Sequence, residues 1–431
     1  MTDTLIIGAG VLGCSIALEL AQRGESVTVI DRNGEVGHGT TAASCAIVRR
    51  FYSTDTMTAM AQEGAAIWDD WRNFLAAPAG EDVARFDRCG MLFIPPRLDE
   101  GVRATLARME ALGVDVEVLS ADEVAQRYPY LLVTSQSPVR SPADADFFEP
   151  TGREIEGAVF ERDAGYVISP LLATRNLRDA AERAGVTFRL GTAVTGIEES
   201  SERFRVRLAD GRTLESRVLI NAAGPHSGIV NEMAGVDLGI ELRPLRREVH
   251  AATNPAHGLE GVSPLPIVGD VDGGIYFRPE AGGVDLIVGS LDPECDAKEW
   301  VSDPDENPDD CSSAVHERQL LRLMKRFPDV RMERRRGLGS LYDVTTLDWN
   351  PVLDRTERPG YYVAIGTSGS SFKTAPVIGQ VMAEIVQKTE AGHDHDRDPL
   401  RLVLERTGFE VDLSFFSRLR GAHNSSNTVL G

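Results

Sequence analysis

The stretch Ile6-Ile7-Gly8-Ala9-Gly10-Val11-Leu12-Gly13, closed by Asp31, constrains this chain more than any other feature. Residues 4–7 are a short apolar run of β-favouring type that stops at a glycine. Ile16, Leu18 and Leu20, with Ala17 and Ala21, then give a helix with an apolar side. Residues 26–30 read as a second buried strand with Asp31 at its end. In such a unit Gly8 permits the tight turn, Gly10 lets a pyrophosphate reach the backbone, and Gly13 lets helix and strand pack closely. The helix start offers N–H groups and the positive end of a dipole to phosphates. Asp31, 18 residues beyond Gly13, is placed to accept hydrogen bonds from ribose hydroxyls. Val11 and Leu12 in the turn, and Arg32 beside the carboxylate, join these residues as expected contacts. The glycine spacing alone is weak, but the strands and the carboxylate around it make it a dinucleotide site. The motif does not separate FAD from NAD. It disfavours NADP, whose extra phosphate would face Asp31.

The 431 residues, 42 % apolar and 26 % charged, suit about two domains with a sizeable core. Only four residues separate Met1 from Ile6, so no signal peptide is expected, and no apolar run is long enough to span a membrane. Cys14, Cys45, Cys89, Cys295 and Cys311 are odd in number without C-x-x-C spacing, as expected of reduced thiols in a cytoplasmic protein. A net charge of −21 makes nucleic acid and anionic membrane poor partners, and neither is expected. Only four lysines occur (Lys298, Lys325, Lys373 and Lys388), against 41 arginines. A lysine inside a glycine-serine loop, as at Lys373, therefore suggests a need for a compact ammonium on a flexible stem.

Along the chain, 39–50 is a loop rich in small and hydroxylic residues, and 63–75 reads as a helix carrying Trp68 and Trp71. From 82 the pattern changes to a strand over 89–94, a helix over 99–112 and a strand over 114–119. Ser120 and Glu123 then form a capping box. The first pattern resumes after 165, with a helix from Ser169-Pro170 and short strands to 197. A hairpin turns at Asp210-Gly211, and a buried strand ends on Asn221-Ala222-Ala223-Gly224. Strands at 246–253, 275–279 and 285–290 suggest an antiparallel sheet. Residues 303–310 hold five acids, but Pro308 and Ala314 stand where a calcium loop needs glycine and glutamate, so a solvated loop before the helix over 312–327 is expected. The cluster His393-Asp394-His395-Asp396 reads as an exposed polar loop, and no metal site is expected. Strands over 337–343 and 361–365 are expected to return to the first domain, followed by a second glycine-rich loop, Gly366 to Lys373, and a helix over 375–388.

Together these landmarks resemble the FAD-dependent amino-acid oxidoreductases that include D-amino-acid oxidase, glycine oxidase, sarcosine oxidase and dimethylglycine dehydrogenase. The stretches 6–31, 39–49, 218–227 and 366–379 carry the resemblance, with Tyr276-Phe-Arg-Pro279 and Asp348-Trp-Asn-Pro351 as weaker matches. The resemblance implies an α/β fold whose Rossmann-like FAD-binding domain (1–80, 151–238, 336–431) is interleaved with an α+β, antiparallel-sheet substrate domain (81–150, 239–335). It implies that Thr40, Thr41 and Ala46 line the pyrophosphate and flavin, that Val194 meets the adenine, and that Ala223 and Gly224 pass close to the diphosphate. Gly369, Ser370, Ser371, Phe372 and Lys373 would face the flavin, with the following helix start stabilising negative charge at its N1–C2=O edge. Relatives with covalent FAD use a histidine or cysteine where this chain has Ala43 and Ser340, so noncovalent FAD is expected. His226 stands where many relatives have tryptophan.

The implied chemistry is oxidation of a carbon–nitrogen bond beside a carboxylate, by hydride transfer to flavin N5 and hydrolysis of the imine. By resemblance Arg49 and Lys373 hold the substrate carboxylate, and Tyr276 lines the pocket; a bidentate arginine suits that task. The expected partners are an amino-acid-like substrate and an electron acceptor, either oxygen or a carrier, with an oligomer possible. Sarcosine oxidases promote reaction with oxygen through a lysine over the flavin, and the corresponding position here is Ile287. Two alternatives share the fold. One is a 2-hydroxy-acid dehydrogenase, for which His250 is the candidate base; the other is a noncatalytic FAD subunit relaying electrons. An NAD-dependent dehydrogenase does not account for the loop ending at Lys373.

Overall fold

The computed structural model describes residues 3–200, 203–306, 310–330 and 336–426. Thr4–Ile7 and Val27–Ile30 are buried along their whole length, which is why they read as continuous apolar runs rather than alternating ones. They are neighbours in a six-stranded sheet of order Val352–Arg355, Tyr361–Ile365, Val218–Asn221, Thr4–Ile7, Val27–Ile30, Thr187–Arg189. All its pairings are parallel except the outermost one, between Val352–Arg355 and Tyr361–Ile365. Helix Val11–Gln22 packs against helices Pro170–Arg183 and Ala375–Glu390. Gly379 makes the second contact close: a Cβ there would lie 2.8 Å from the Ser15 carbonyl oxygen. A three-stranded antiparallel sheet, Val194–Ser200, Arg203–Leu208 and Thr213–Ser216, contributes Ile197, Phe204 and Val206 to the apolar cluster that contains Leu5, Ile7 and Leu219.

The second body is an eight-stranded sheet of order Gly337–Thr345, Leu242–Thr253, Asp285–Ser290, Ile275–Pro279, Ile267–Asp270, Met91–Ile94, Ala158–Glu161, Val116–Leu119. It is antiparallel apart from the Ile267–Asp270 and Met91–Ile94 pair. Helix Ser313–Met324 covers it through Leu320 and Leu323, which join Phe277 and Val288 in one core. Thus the strand expected at 337–343 pairs with Leu242–Thr253, not with the six-stranded sheet. Gly337 and Gly339 weaken its strand signature, and its register is set by a partner about ninety residues earlier. The eight-stranded sheet therefore crosses the expected cuts at 150/151 and 335/336.

Smaller departures have local causes. The helix expected from 63 begins at Asp55, because Thr54 caps it by accepting from Met57 N. The segment 393–396 is not an exposed loop: His395 is buried, and its Nδ1 accepts from Leu400 N at 3.0 Å. Asp396 there pairs with Arg418. Pro304–Glu306 is a single 3-10 turn, and Ser312 caps the following helix by accepting from Val315 N; residues 307–309, with the Pro308 of the calcium-loop comparison, lie outside the described residues. The five cysteines are free thiols. Among the described residues no helix is long and apolar enough to cross a membrane.

Candidate active site

A cavity of about 670 Å³ opens between the two sheets, a size suited to a cofactor and a small substrate. Gly8, Gly10, Val11, Leu12, Asp31, Arg32, Thr40, Thr41, Ala46, Val194, Ala223 and Gly224 line it, as do Arg49, Tyr276, Gly369, Ser371, Phe372 and Lys373. Of the expected site residues, Gly13 and Ser370 are not on its wall. Gly13 instead sets helix packing, since a Cβ there would lie 1.9 Å from the Gly8 carbonyl oxygen. Ser370 contributes a carbonyl that accepts from Lys373.

The glycine turn forms a cradle that side chains would fill. Gly8 has φ +112°, and a Cβ there would lie 2.2 Å from the Ala222 carbonyl oxygen. A Cβ on Gly10 would approach Thr41 Oγ1, which accepts from Val11 N at 3.2 Å across the helix start. Asp31 is anchored to the same turn: Oδ2 accepts from Ala9 N at 2.7 Å and Oδ1 from Asn33 N at 2.8 Å. Each oxygen keeps a lone pair for a ribose hydroxyl. Thr40 Oγ1 donates to Leu341 O at 2.8 Å, tying the loop after Asp31 to the eight-stranded sheet. Ala46 and Ser368, both non-glycine, have φ +48°, so the two loops against the cavity carry backbone strain. These residues fit an extended dinucleotide with a planar ring system.

Arg49 and Lys373 share the cavity although they come from opposite ends of the chain. Arg49 follows the short strand Ile47–Val48, and its neighbour Arg50 is clamped by Glu161. Glu161 accepts from the Arg50 backbone at 3.0 Å and from its guanidinium at 3.0 Å, fixing the turn that presents Arg49. The Arg49 guanidinium lies 4.4 Å from the Tyr52 ring centre and donates to Phe51 O. Lys373 Nζ donates to Tyr52 Oη and to Ser370 O, each at 2.7 Å. Behind it, Trp68 Nε1 donates to the Lys373 carbonyl at 2.8 Å, and the Trp68 ring stacks on Phe372. Burial holds the Lys373 ammonium below its ordinary pKa. Burial pushes the Tyr52 phenol up, but the charges of Lys373 and Arg49 outweigh it and leave the phenol below its ordinary value.

Elsewhere on the cavity wall Tyr276 Oη meets Cys45 Sγ at 3.3 Å, with the tyrosine ring lying over Gly289. Burial raises the pKa of both groups. Sequence reasoning missed Tyr52, Cys45, Tyr342 and Asp343. Tyr52 follows Arg49 closely enough to have been noticed; the others become site residues only through sheet pairing and the loop crossing. The Asp343 carboxylate accepts from Gly366 N at 2.6 Å, and burial raises its pKa to about 7. Ser340 lines the cavity, whereas Ala43 is not on its wall.

His250 lies elsewhere. It is fully buried beneath helix Ser313–Met324, its Nδ1 2.8 Å from Gln319 Oε1, and it does not line the cavity. Among the described residues Glu248, His250 and Cys311 are the one grouping with metal-ligand proximity. Its carboxylate is already engaged by the Arg246 guanidinium and by Ser312 N. Ile287 is half-buried and pairs across the sheet with Arg278.

The structure is similar to that of L-proline dehydrogenase from P. horikoshii, with a TM-score of 0.75 at 19 % identity, covering 97 % of this chain and 96 % of that one. In sequence the chain is similar to monomeric sarcosine oxidase of Bacillus sp. (strain B-0618), at 22 % identity over 91 % of this chain and 94 % of the relative. It is also similar to peroxisomal sarcosine oxidase of Homo sapiens, at 26 % identity over 91 % and 94 %. The profile of the FAD dependent oxidoreductase family matches residues 3–385, so the chain belongs to that family and is an FAD-dependent oxidoreductase.

Proposed function

We propose that this enzyme oxidises the carbon–nitrogen bond of an amino acid or N-alkyl amino acid to an imine, which then hydrolyses. The observation that carries this reading is the convergence of Arg49 and Lys373, two buried cations, on one cavity. A carboxylate entering that space gains two charge-assisted partners in a region of low dielectric. When bound, FAD supplies the hydride acceptor at flavin N5. The protein's task is then to hold the carboxylate and to favour the neutral amine. The same two cations favour it, because positive charge close to the substrate's ammonium lowers its pKa. Tyr276 bounds the substrate space from the eight-stranded sheet. In this reading the six-stranded sheet and its helices hold FAD, and the eight-stranded sheet covers the substrate.

Noncovalent attachment is part of the proposal. Ser340 offers a hydroxyl where covalent relatives have a thiol, and the raised pKa of Cys45 makes it a poor nucleophile. Acid precipitation should release all the flavin; colour retained in the precipitate overturns this point. The 2-hydroxy-acid reading needs a base against the cavity, and the burial of His250 under a helix leaves it without its candidate.

The test is anaerobic mixing with a panel of N-methyl and D-amino acids, read as flavin bleaching. With a substrate in hand, Arg49→Ala should raise KM by at least tenfold, since its loss leaves a buried carboxylate with one cation in place of two. An amine without any carboxylate, turned over equally by wild type and Arg49→Ala, overturns the assignment.

A further inference from the structure

Three distant segments meet at the rim of the cavity beside Asp31. Arg32 continues from the strand Val27–Ile30. His226 ends the single turn Gly224–His226, which follows the strand Val218–Asn221. Asp305 comes from the connection between the eight-stranded sheet and helix Ser313–Met324. Asp305 Oδ1 accepts from Arg32 Nη1 and shares a hydrogen bond with His226 Nε2 at 2.9 Å. Pro304, Asp305, Arg32 and His226 all line the cavity. Asp303 shapes the turn from within: its side chain accepts from Asp305 N at 2.9 Å and its carbonyl from Glu306 N.

We infer that Pro304 and Asp305 form a strap of the substrate-side body that closes over the half of FAD lying beside Asp31 and slows its release. The inference rests on the noncovalent attachment proposed above, which acid release tests separately. The charges argue for this geometry. A bare carboxylate at the mouth of a diphosphate site would repel its ligand; here Arg32 offsets the Asp305 charge and His226 bonds the same oxygen. The Arg32, Asp305 and His226 side chains are 46 %, 56 % and 23 % exposed. Exposed ion pairs of this kind are individually weak and screened by salt. The strap is therefore a latch that opens readily, and its opening rate should depend on ionic strength. It gives a physical role to the acidic segment and to the histidine at 226.

The experiment follows FAD release from purified holoenzyme diluted to nanomolar concentration, read as the rise of free flavin fluorescence. Wild type, Asp305→Asn and the control Glu306→Gln are compared at about 20 mM and 500 mM salt, where screening lengths differ several-fold. Asp305→Asn should release FAD about three- to tenfold faster than wild type at low salt, as expected for loss of one exposed charge cluster. Salt should accelerate wild type toward the Asp305→Asn rate and leave Asp305→Asn nearly unchanged, while Glu306→Gln follows wild type. Circular dichroism of the apoproteins should coincide, separating latch loss from misfolding. Release from Asp305→Asn equal to or slower than from wild type, or wild-type release indifferent to salt, overturns the inference.

Discussion

Lys373 Nζ and Tyr52 Oη lie 2.7 Å apart in a fully buried contact between residues 321 positions apart in the chain. The phenol lowers the cost of keeping an ammonium out of water, and the ammonium in turn draws the phenol toward ionisation. Tyr52→Phe keeps the ring beneath Arg49 but removes the oxygen, leaving Lys373 under the same burial with less support. The expected outcome is a loss of about 1–2 kcal/mol in stability. The alkaline rise in KM for a carboxylate substrate should also move to lower pH, because the ammonium gives up its proton earlier. KM–pH profiles of wild type and Tyr52→Phe that superimpose would remove Tyr52 from the substrate clamp.

Gly64 sits in helix Asp55–Asp69 directly behind the same lysine, and a Cβ there would lie 2.3 Å from the Lys373 carbonyl oxygen. Alanine should raise helix propensity by about 1 kcal/mol. The clash is with backbone that Trp68 also holds, so the overpacking cost of about 1–3 kcal/mol should prevail. Gly64→Ala is expected to be less stable in urea and to bind substrate more weakly. A Gly64→Ala protein more stable than wild type would contradict this packing.

Glu19 lies in helix Val11–Gln22 with 8 % of its surface exposed, and burial raises its pKa from 4.5 to about 7, with Arg23 opposing the shift and Glu405 adding to it. Between those two values the folded protein keeps a proton that the unfolded chain has lost. This contribution to stability is complete below pH 4.5 and is lost as pH rises through about 7. Glu19→Gln should match wild type near pH 4.5 and exceed it at pH 8 by up to about 3 kcal/mol. Denaturant melts at the two pH values check this. Asp343 acts in the same direction, so the substitution should remove part of the slope and leave the rest.

Reduced enzyme is expected to react slowly with oxygen and faster with dyes. Ile287 cannot stabilise the charge that develops on superoxide. The neighbouring cation, Arg278, is occupied: its Nε donates to Cys45 O at 2.9 Å and its Nη1 pairs with Glu280 at 2.8 Å. Stopped-flow mixing of reduced enzyme with air-saturated buffer gives the rate directly. Reoxidation as fast as turnover would make this an oxidase and overturn the argument from Ile287.

The features legible in sequence were those encoded within one supersecondary unit. Gly8, Gly10, Gly13 and Asp31 announce their turn because each is required by local backbone geometry or by the end of one strand. Ser120 and Glu123 form the expected capping box. Features set by distant pairing stayed hidden. Gly337–Thr345 carries two glycines and takes its place only from Leu242–Thr253. Tyr342 and Asp343 reach the cavity through that placement. His395 sits in a run of charged residues, yet packing against the segment around Leu400 buries it. Lys373 was marked by its rarity, but nothing local indicated that Tyr52 would be its partner.

The central position of Thr4–Ile7 has a consequence for how the protein is made. Its neighbours in the sheet are Val27–Ile30 on one side and Val218–Asn221 on the other, with Tyr361–Ile365 beyond. A chain emerging from the ribosome can form the first pair at once, but the other edge of the first strand must wait for roughly two hundred further residues. Throughout that interval an apolar strand edge stands open, the condition in which nascent proteins mispair and aggregate. The glycine turn is synthesised first, but the sheet that supports it is among the last parts to be completed, so a chain that stalls before residue 221 has the binding motif without the wall it rests on.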